Sequence, residues 1–261
     1  MSTNAVQLAA VQSEPSTPAH PSLFLCASEG QAAGGVDLFA GLSEEEHAHA
    51  LQMGLRRALR GGEALFRQGE AHRGIFVILS GAVRVFYTAP SGREITLAYW
   101  SPGNFVGGPE LFETGVNMWS GSAVRPSEVL VLRGDRVRQL MASSRRFTVN
   151  LVEALVEKGK CYSALIHMLG TRSVTERLAE LLLTIASFDG RPTAGGLLLG
   201  RTLTQEELAR MVGATRQWVS TMLERFRTQK LIDVRRRRIV ICDPAGLRQV
   251  ASETTDRPAI R

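Results

Sequence analysis

The spacing of hydrophobic positions changes along the chain, and each change predicts a new kind of element. Residues 1–36 mix Ser, Thr, Pro, Ala, Gln and Gly without periodicity, apart from the apolar cluster Leu23-Phe24-Leu25. That composition predicts a flexible tail carrying a docking patch. A helix is expected over 43–59, opened by Ser43 with Glu46 three residues on. His47 and His49 within it are two apart, on opposite faces, which argues for surface residues and against a metal pair.

From Arg60 to Leu132 the period shortens. Short apolar, β-branched runs alternate with glycine turns, and strands are expected at 74–79, 82–87, 94–99 and 128–132. Many short strands with regular turns predict a sandwich or barrel. The spacing then returns to helical over 135–169. Phe147, Leu151, Ala154, Lys158, Cys161, Leu165 and Met168 form one stripe, and Val152, Leu155, Gly159, Tyr162, Ile166 and Leu169 a second. A helix apolar over two adjacent stripes needs two covers. One is the barrel and the other a second chain, which predicts a coiled-coil dimer. A helix buried within a monomer is the alternative.

A further helix is expected over 173–188, then a Gly/Pro loop over 189–196 and a short strand at 197–199. The most specific stretch follows, Leu203 to Ile232. Thr204 and Glu207 make a capping box, with Leu208, Met211 and Val212 at helical spacing. Gly213 allows a tight turn. Thr215 caps a second helix with the buried stripe Val219, Met222, Leu223 and Phe226. Its first turn offers Arg216, Gln217 and Ser220, with Thr221 behind, which are donors suited to base edges in a major groove. This is a helix-turn-helix. Beyond it, two β-branched runs flank Arg235, Arg236, Arg237 and Arg238. A hairpin with that tip is a wing facing phosphate.

Charge sharpens the reading. From Gly170 onward there are 16 Arg/Lys and 10 Asp/Glu, whereas residues 1–169 hold 15 of each. The whole excess of +6 sits with the helix-turn-helix, as a phosphate-facing domain requires. Cys26, Cys161 and Cys242 are too few for a disulfide framework, and no run suits a membrane span or signal peptide. A cytoplasmic protein is expected. No phosphate loop, metal-spaced cluster or Gly-x-Ser-x-Gly motif points to an enzyme.

The order of parts resembles the cyclic-AMP receptor protein (Crp–Fnr) family of bacterial transcription regulators. The resemblance is carried by Gly69-Glu70, the block from Gly74 to Val85, Pro102-Gly103-Asn104-Phe105-Val106-Gly107, Leu111-Phe112, Thr175 to Ala179, and Leu203 to Ala209 through Arg216 and Leu231-Ile232. It covers roughly 37–243. It implies an α+β fold: a cyclic-nucleotide-binding-type β-barrel (double-stranded jelly roll) over 37–134, a long dimerisation helix over 135–169 and a winged helix-turn-helix over 170–261. It also implies a homodimer on a palindromic double-stranded DNA site, contact with RNA polymerase, and a small-molecule signal read in the barrel. Arg216 matches the family's base-reading arginine. Gln217 and Thr221 stand where Glu and Arg are commonest, so the DNA site is expected to differ.

The barrel departs from the cyclic-AMP-binding pattern. Gly108 stands in place of the Glu for the ribose, Met118 of the Arg and Trp119 of the Ser for the phosphate. A charge-assisted bond contributes about 1.5–3 kcal/mol, so tight cyclic-AMP binding is not expected. Arg125 is the alternative cation if the register shifts. The resemblance places the effector pocket at Gly107, Gly108, Glu110, Met118, Trp119, Tyr162 and Ser163. An iron–sulfur cluster needs about four cysteines. Haem remains open, with His72, His167 or Cys161 as candidate axial ligands. The other reading left open is a ligand-binding module without DNA function, against which Arg216 and the arginine wing argue.

Overall fold

The computed structural model describes residues 36–72, 74–108, 115–200, 202–235 and 238–252. The N-terminal tail, Glu110 and the wing-tip residues Arg236 and Arg237 lie outside them. The chain opens with α1 (Glu44–Gln52), whose N-terminus carries the expected Ser43–Glu46 capping box. The helix ends at Gln52, seven residues short of the expected end at Leu59, because the chain then turns into a sheet. At Gly54 an added Cβ would lie 2.7 Å from Leu130 and 2.9 Å from the Val131 carbonyl. Residues 55–59 are therefore strand, not helix: β1 (Leu55–Leu59) pairs with Leu55 opposite Val131 and Leu59 opposite Ser127. Long-range ladder pairing has overridden a helical spacing here.

Seven more strands follow: β2 (Ala64–Phe66), β3 (Ile75–Ser80), β4 (Val83–Thr88), β5 (Glu94–Trp100), β6 (Phe105–Gly107), β7 (Ser120–Ala123) and β8 (Ser127–Leu132). They form two antiparallel sheets in the orders β1-β8-β3-β6 and β2-β7-β4-β5. One apolar core lies between them, with Phe76, Ile78 and Val129 from the first sheet and Phe66, Val85 and Ala98 from the second. Strand alternation sends the intervening residues of the first sheet the other way. Ile75, Val77, Leu130 and Leu132 join Ala50, Val137, Leu140, Phe147 and Leu151 of the helices in a second core. Two buried faces explain why β3 reads as a continuous apolar run.

The expected single helix over 135–169 is two helices. α2 (Gly134–Ser143) stops at Ser144, which adopts φ −130° and ψ 110° and caps α3 (Arg145–Thr171) by accepting from the Phe147 N–H at 3.2 Å. α4 (Val174–Asp189), capped by Ser173 and Glu176, opens the C-terminal half. The 189–196 loop includes a short strand, β9 (Arg191–Thr193), paired with β10 (Gly196–Leu198). α5 (Gln205–Val212), α6 (Arg216–Thr228), β11 (Ile232–Arg235), β12 (Arg238–Ile241) and α7 (Pro244–Ser252) complete the half. Its sheet runs β11-β12-β10-β9, and the helices share a core built on Leu178, Leu182, Leu208, Val219, Phe226 and Ile241. Among the described residues no helix is long and apolar enough to cross a membrane.

Candidate nucleic-acid interface and sensory cavity

The helix-turn-helix is fixed by its caps. Thr204 Oγ1 accepts from the Glu207 N–H at 3.1 Å, and Glu207 Oε2 accepts from the Thr204 N–H at 2.7 Å. α5 buries Leu208, Ala209, Met211 and Val212 and ends at Gly213, whose φ is +67°. A Cβ there would touch only Leu169 Cδ2, at 3.6 Å, so the left-handed backbone and not crowding favours glycine. Thr215 then caps α6 by accepting from the Trp218 N–H at 3.2 Å.

With Val219, Leu223 and Phe226 buried, the opposite side of α6 faces outward. Arg216, Gln217 and Thr221 are exposed, Ser220 is half-buried, and Thr204 and Thr215 are exposed at the helix starts. Thr221 Oγ1 donates to the Gln217 carbonyl at 3.0 Å, so its proton is used within the helix and its lone pairs are what it offers outward. In the wing, Arg235 and Arg238 stand directly opposite each other across β11 and β12, both exposed. Arg235 Nε also lies 2.6 Å from Asp233 Oδ2, which offsets part of the wing's charge.

Arg177 is a connection that sequence reasoning missed. Its guanidinium is 7 % exposed and donates to the carbonyls of Val212 at 3.0 Å, Arg172 at 3.0 Å and Leu169 at 3.4 Å. One buried cation thereby ties the end of α3, the link to α4 and the end of α5. Its signal was an arginine on an otherwise apolar helix face.

A cavity of about 310 Å³ lies between the N-terminal sheets and α3. Gly107, Gly108, Trp119 and Tyr162 line it, as expected. Met118, 62 % exposed, and Ser163, also exposed, are not among its lining residues. Met118 lies in the bend ahead of β7, where its side chain is exposed. Trp119 and Tyr162 lie 6.4 Å apart, tilted by 50°. Sequence reasoning missed Trp100, Phe105 and Lys158. Lys158 stood in the apolar stripe, and its place there was the available signal. Its Nζ donates to the Phe105 carbonyl at 2.7 Å and stands 3.5 Å from the Trp100 ring centroid. Burial lowers its pKa to about 7, and burial likewise raises that of Tyr162 to about 12.

Arg125 does not reach the cavity lining; its guanidinium donates to the Gly81 carbonyl at 3.2 Å. His72, His167 and Cys161 are also outside the lining. His167 is exposed on α3, Cys161 is buried in the inter-sheet core, and both His72 ring nitrogens are enclosed without a hydrogen-bond partner.

Comparison with known proteins agrees with this architecture. Residues 56–144 match the cyclic nucleotide-binding domain family, and residues 176–250 the Crp-like helix-turn-helix domain family. The chain is 27 % identical over 186 residues to the CRP-like cAMP-activated global transcriptional regulator of Mycobacterium tuberculosis, covering 71 % of this chain and 83 % of that protein. It is 28 % identical over 217 residues to the cyclic AMP receptor protein of Thermus thermophilus, covering 83 % and 97 %. The fold superposes on a CooA mutant from Carboxydothermus hydrogenoformans with TM-score 0.67 at 22 % identity, covering 85 % of this chain and 97 % of that one. It superposes on the c-di-GMP-responsive regulator CLP of Xanthomonas campestris with TM-score 0.68 at 22 % identity, covering 76 % and 99 %. A cyclic nucleotide-binding domain followed by a Crp-like helix-turn-helix, with relatives aligned along both, places the chain in the Crp–Fnr family as a Crp-like transcription regulator.

Proposed function

We propose that the chain works as a homodimer that reads a two-fold-symmetric DNA site, contacts RNA polymerase in the cytoplasm, and senses a ligand other than cyclic AMP. The observation that carries the DNA reading is the outward first turn of α6, with Arg216 and Gln217 exposed on a helix capped at its start and packed behind. The cationic wing strands beside it supply contacts to phosphate.

The dimer reading is supported by α3. Val149, Val152, Leu155, Val156 and Ile166 are exposed, and with Gly159 and Ser163 they continue a seam at steps of three and four. This refines the second stripe, since Tyr162 turns toward the core. A second copy of α3 is the self-complementary cover for such a seam. It would set two recognition helices to reach half-sites one DNA turn apart.

Against cyclic AMP stand the groups at the family's ligand positions. Gly108 has φ +65°, and an added Cβ would lie 2.6 Å from Ile75 Cγ2, so this backbone disfavours an acidic side chain there. Met118 points outward, and Trp119 supplies ring surface instead of a hydroxyl. The Mycobacterium tuberculosis relative is a cAMP-activated regulator, so calorimetry is a sharp test of this part: micromolar binding of cyclic AMP would overturn it. For the DNA reading, sedimentation of the protein with duplex DNA is expected to give two chains per site. One chain per duplex would count against the dimer.

A further inference from the structure

Cys161 on α3 is disulfide-bonded, and Cys242 is free. The chain has three cysteines, so the second sulfur is left to Cys26. Cys26 lies outside the described residues, next in sequence to the apolar cluster Leu23-Phe24-Leu25. Cys161 is 1 % exposed and packs with the core between the N-terminal sheets, whereas Val152 and Ile166 are exposed on the outer seam of α3. A bond at Cys161 is therefore made on the inner side of the helix, within one chain, and leaves the seam open. The reach allows it. The Leu38 carbonyl accepts from Asn150 Nδ2 at 3.0 Å, which fixes where the preceding segment leaves α3. From Asn150 to Cys161 is eleven residues of helix, about 16 Å. From Leu38 back to Cys26 is twelve residues, which span up to about 40 Å when extended. Cys26 can meet Cys161 without any shift of α3.

Both halves of the chain have apolar cores of their own, so neither depends on a staple for its folding. Glutathione keeps most cytosolic thiols reduced, and the disulfides that do form there are usually transient and redox-sensing. We propose that Cys26 and Cys161 are a reversible redox pair, and that oxidation clips the N-terminal segment onto α3 and brings Leu23-Phe24-Leu25 beside the helix. The oxidant is a peroxide. One thiolate attacks a peroxide oxygen, the O–O bond breaks, and hydroxide leaves to take up the thiol's proton as water. The second thiolate attacks the resulting sulfenic sulfur; the S–S bond forms, the S–O bond breaks, and a second hydroxide leaves as water. Two thiols and one hydrogen peroxide thus give one disulfide and two waters. Two molecules of glutathione reverse the clip by thiol–disulfide exchange, returning both protein thiols and one glutathione disulfide.

The inference stands apart from the DNA reading, which DNA selection tests separately. The test treats the purified full chain with hydrogen peroxide or with dithiothreitol, alkylates the thiols after denaturation, and maps the peptides by mass spectrometry. The reduced chain is expected to take label at all three cysteines. The oxidised chain is expected to take it at Cys242 alone and to yield a Cys26–Cys161 cross-linked peptide from within one chain. Millimolar glutathione is expected to restore all three sites. Chymotrypsin is expected to cut at Phe24 at least about fivefold more slowly in the oxidised chain than in the reduced one, as for a segment held down at that point. In Cys26→Ser that difference disappears, and in Cys242→Ser it remains. Full labelling after peroxide, a cross-link through Cys242 or between two chains, or a bond that glutathione does not open overturns the proposal. Equal cleavage of the two forms overturns it as well.

Discussion

Glu94 on β5 lies 3.4 Å from Nε of Arg210 on α5, so an ion pair joins the N-terminal sheets to the helix-turn-helix. The same carboxylate holds Arg84 within its own sheet, and Arg210 also pairs with Glu206 at 3.3 Å. Five and six residues along β5, alternation divides two aromatic rings between the two halves. Tyr99 is buried in the core of the DNA-binding half, and Trp100 lines the cavity. One peptide bond separates a residue in contact with the cavity from one in contact with the helix-turn-helix.

This junction is expected to depend on burial more than on charge. Tyr99→Ala should cost about 3 kcal/mol or more, as for large aromatic truncations in a core. Arg210→Gln should cost less than about 1 kcal/mol, because Glu94 and Arg210 both keep solvent access and salt screens the pair. Urea unfolding midpoints of the two variants check this. Equal losses would show that the ion pair, and not the ring, holds the two halves together.

Lys158 makes stability depend on pH with a defined sign. Its folded pKa is lowered from 10.5 to about 7 by burial, so between those values the unfolded chain binds more protons than the folded one. Stability relative to Lys158→Met should therefore rise as pH increases from 7 toward 10.5, with the full penalty present below pH 7. The span of this rise is on the order of a few kcal/mol. Thermal melts of both proteins across that range measure it, and a flat difference would place the ammonium in contact with water.

The α3 seam predicts a change of assembly. Val152→Glu or Ile166→Glu sets charge on exposed apolar positions that a second chain is expected to cover. Each variant should fold yet sediment as a monomer, and lose affinity for a two-half-site duplex far more than for a single half-site. A variant that remains dimeric would locate the interface elsewhere.

Two arginines should fail in different ways. Arg216→Ala is expected to cost about 1–3 kcal/mol and to relax specificity at one base per half-site. Arg238→Ala should weaken all duplexes alike and reduce the salt slope by about one per chain. Arg235→Ala should do less, since Asp233 already offsets its charge. Binding measured against salt on a matched and a mismatched duplex separates the three.

Much of this was legible because local chemistry decided it. Ser43, Ser173, Thr204 and Thr215 all cap the helices they were expected to open, since a short hydroxyl side chain satisfies a free N–H wherever a helix begins. What was not legible depended on distant partners. Residues 55–59 become a strand only because β8 lies beside them, and β2, β6 and β7 are too short to show a period. The cavity followed the same rule. Trp119 and Tyr162 were found through their motif positions, whereas Lys158 was read only as one member of the first stripe of the long helix. Only the neighbouring Trp100 and Phe105 rings reveal it as an enclosed cation.

The most direct test of the central claim is selection from random duplex DNA by the purified full chain. The account predicts enrichment of a two-fold-symmetric sequence with half-sites one helical turn apart, and loss of one base preference in each half-site with Arg216→Ala. Enrichment of an asymmetric sequence, or a symmetric one unchanged by Arg216→Ala, would contradict it.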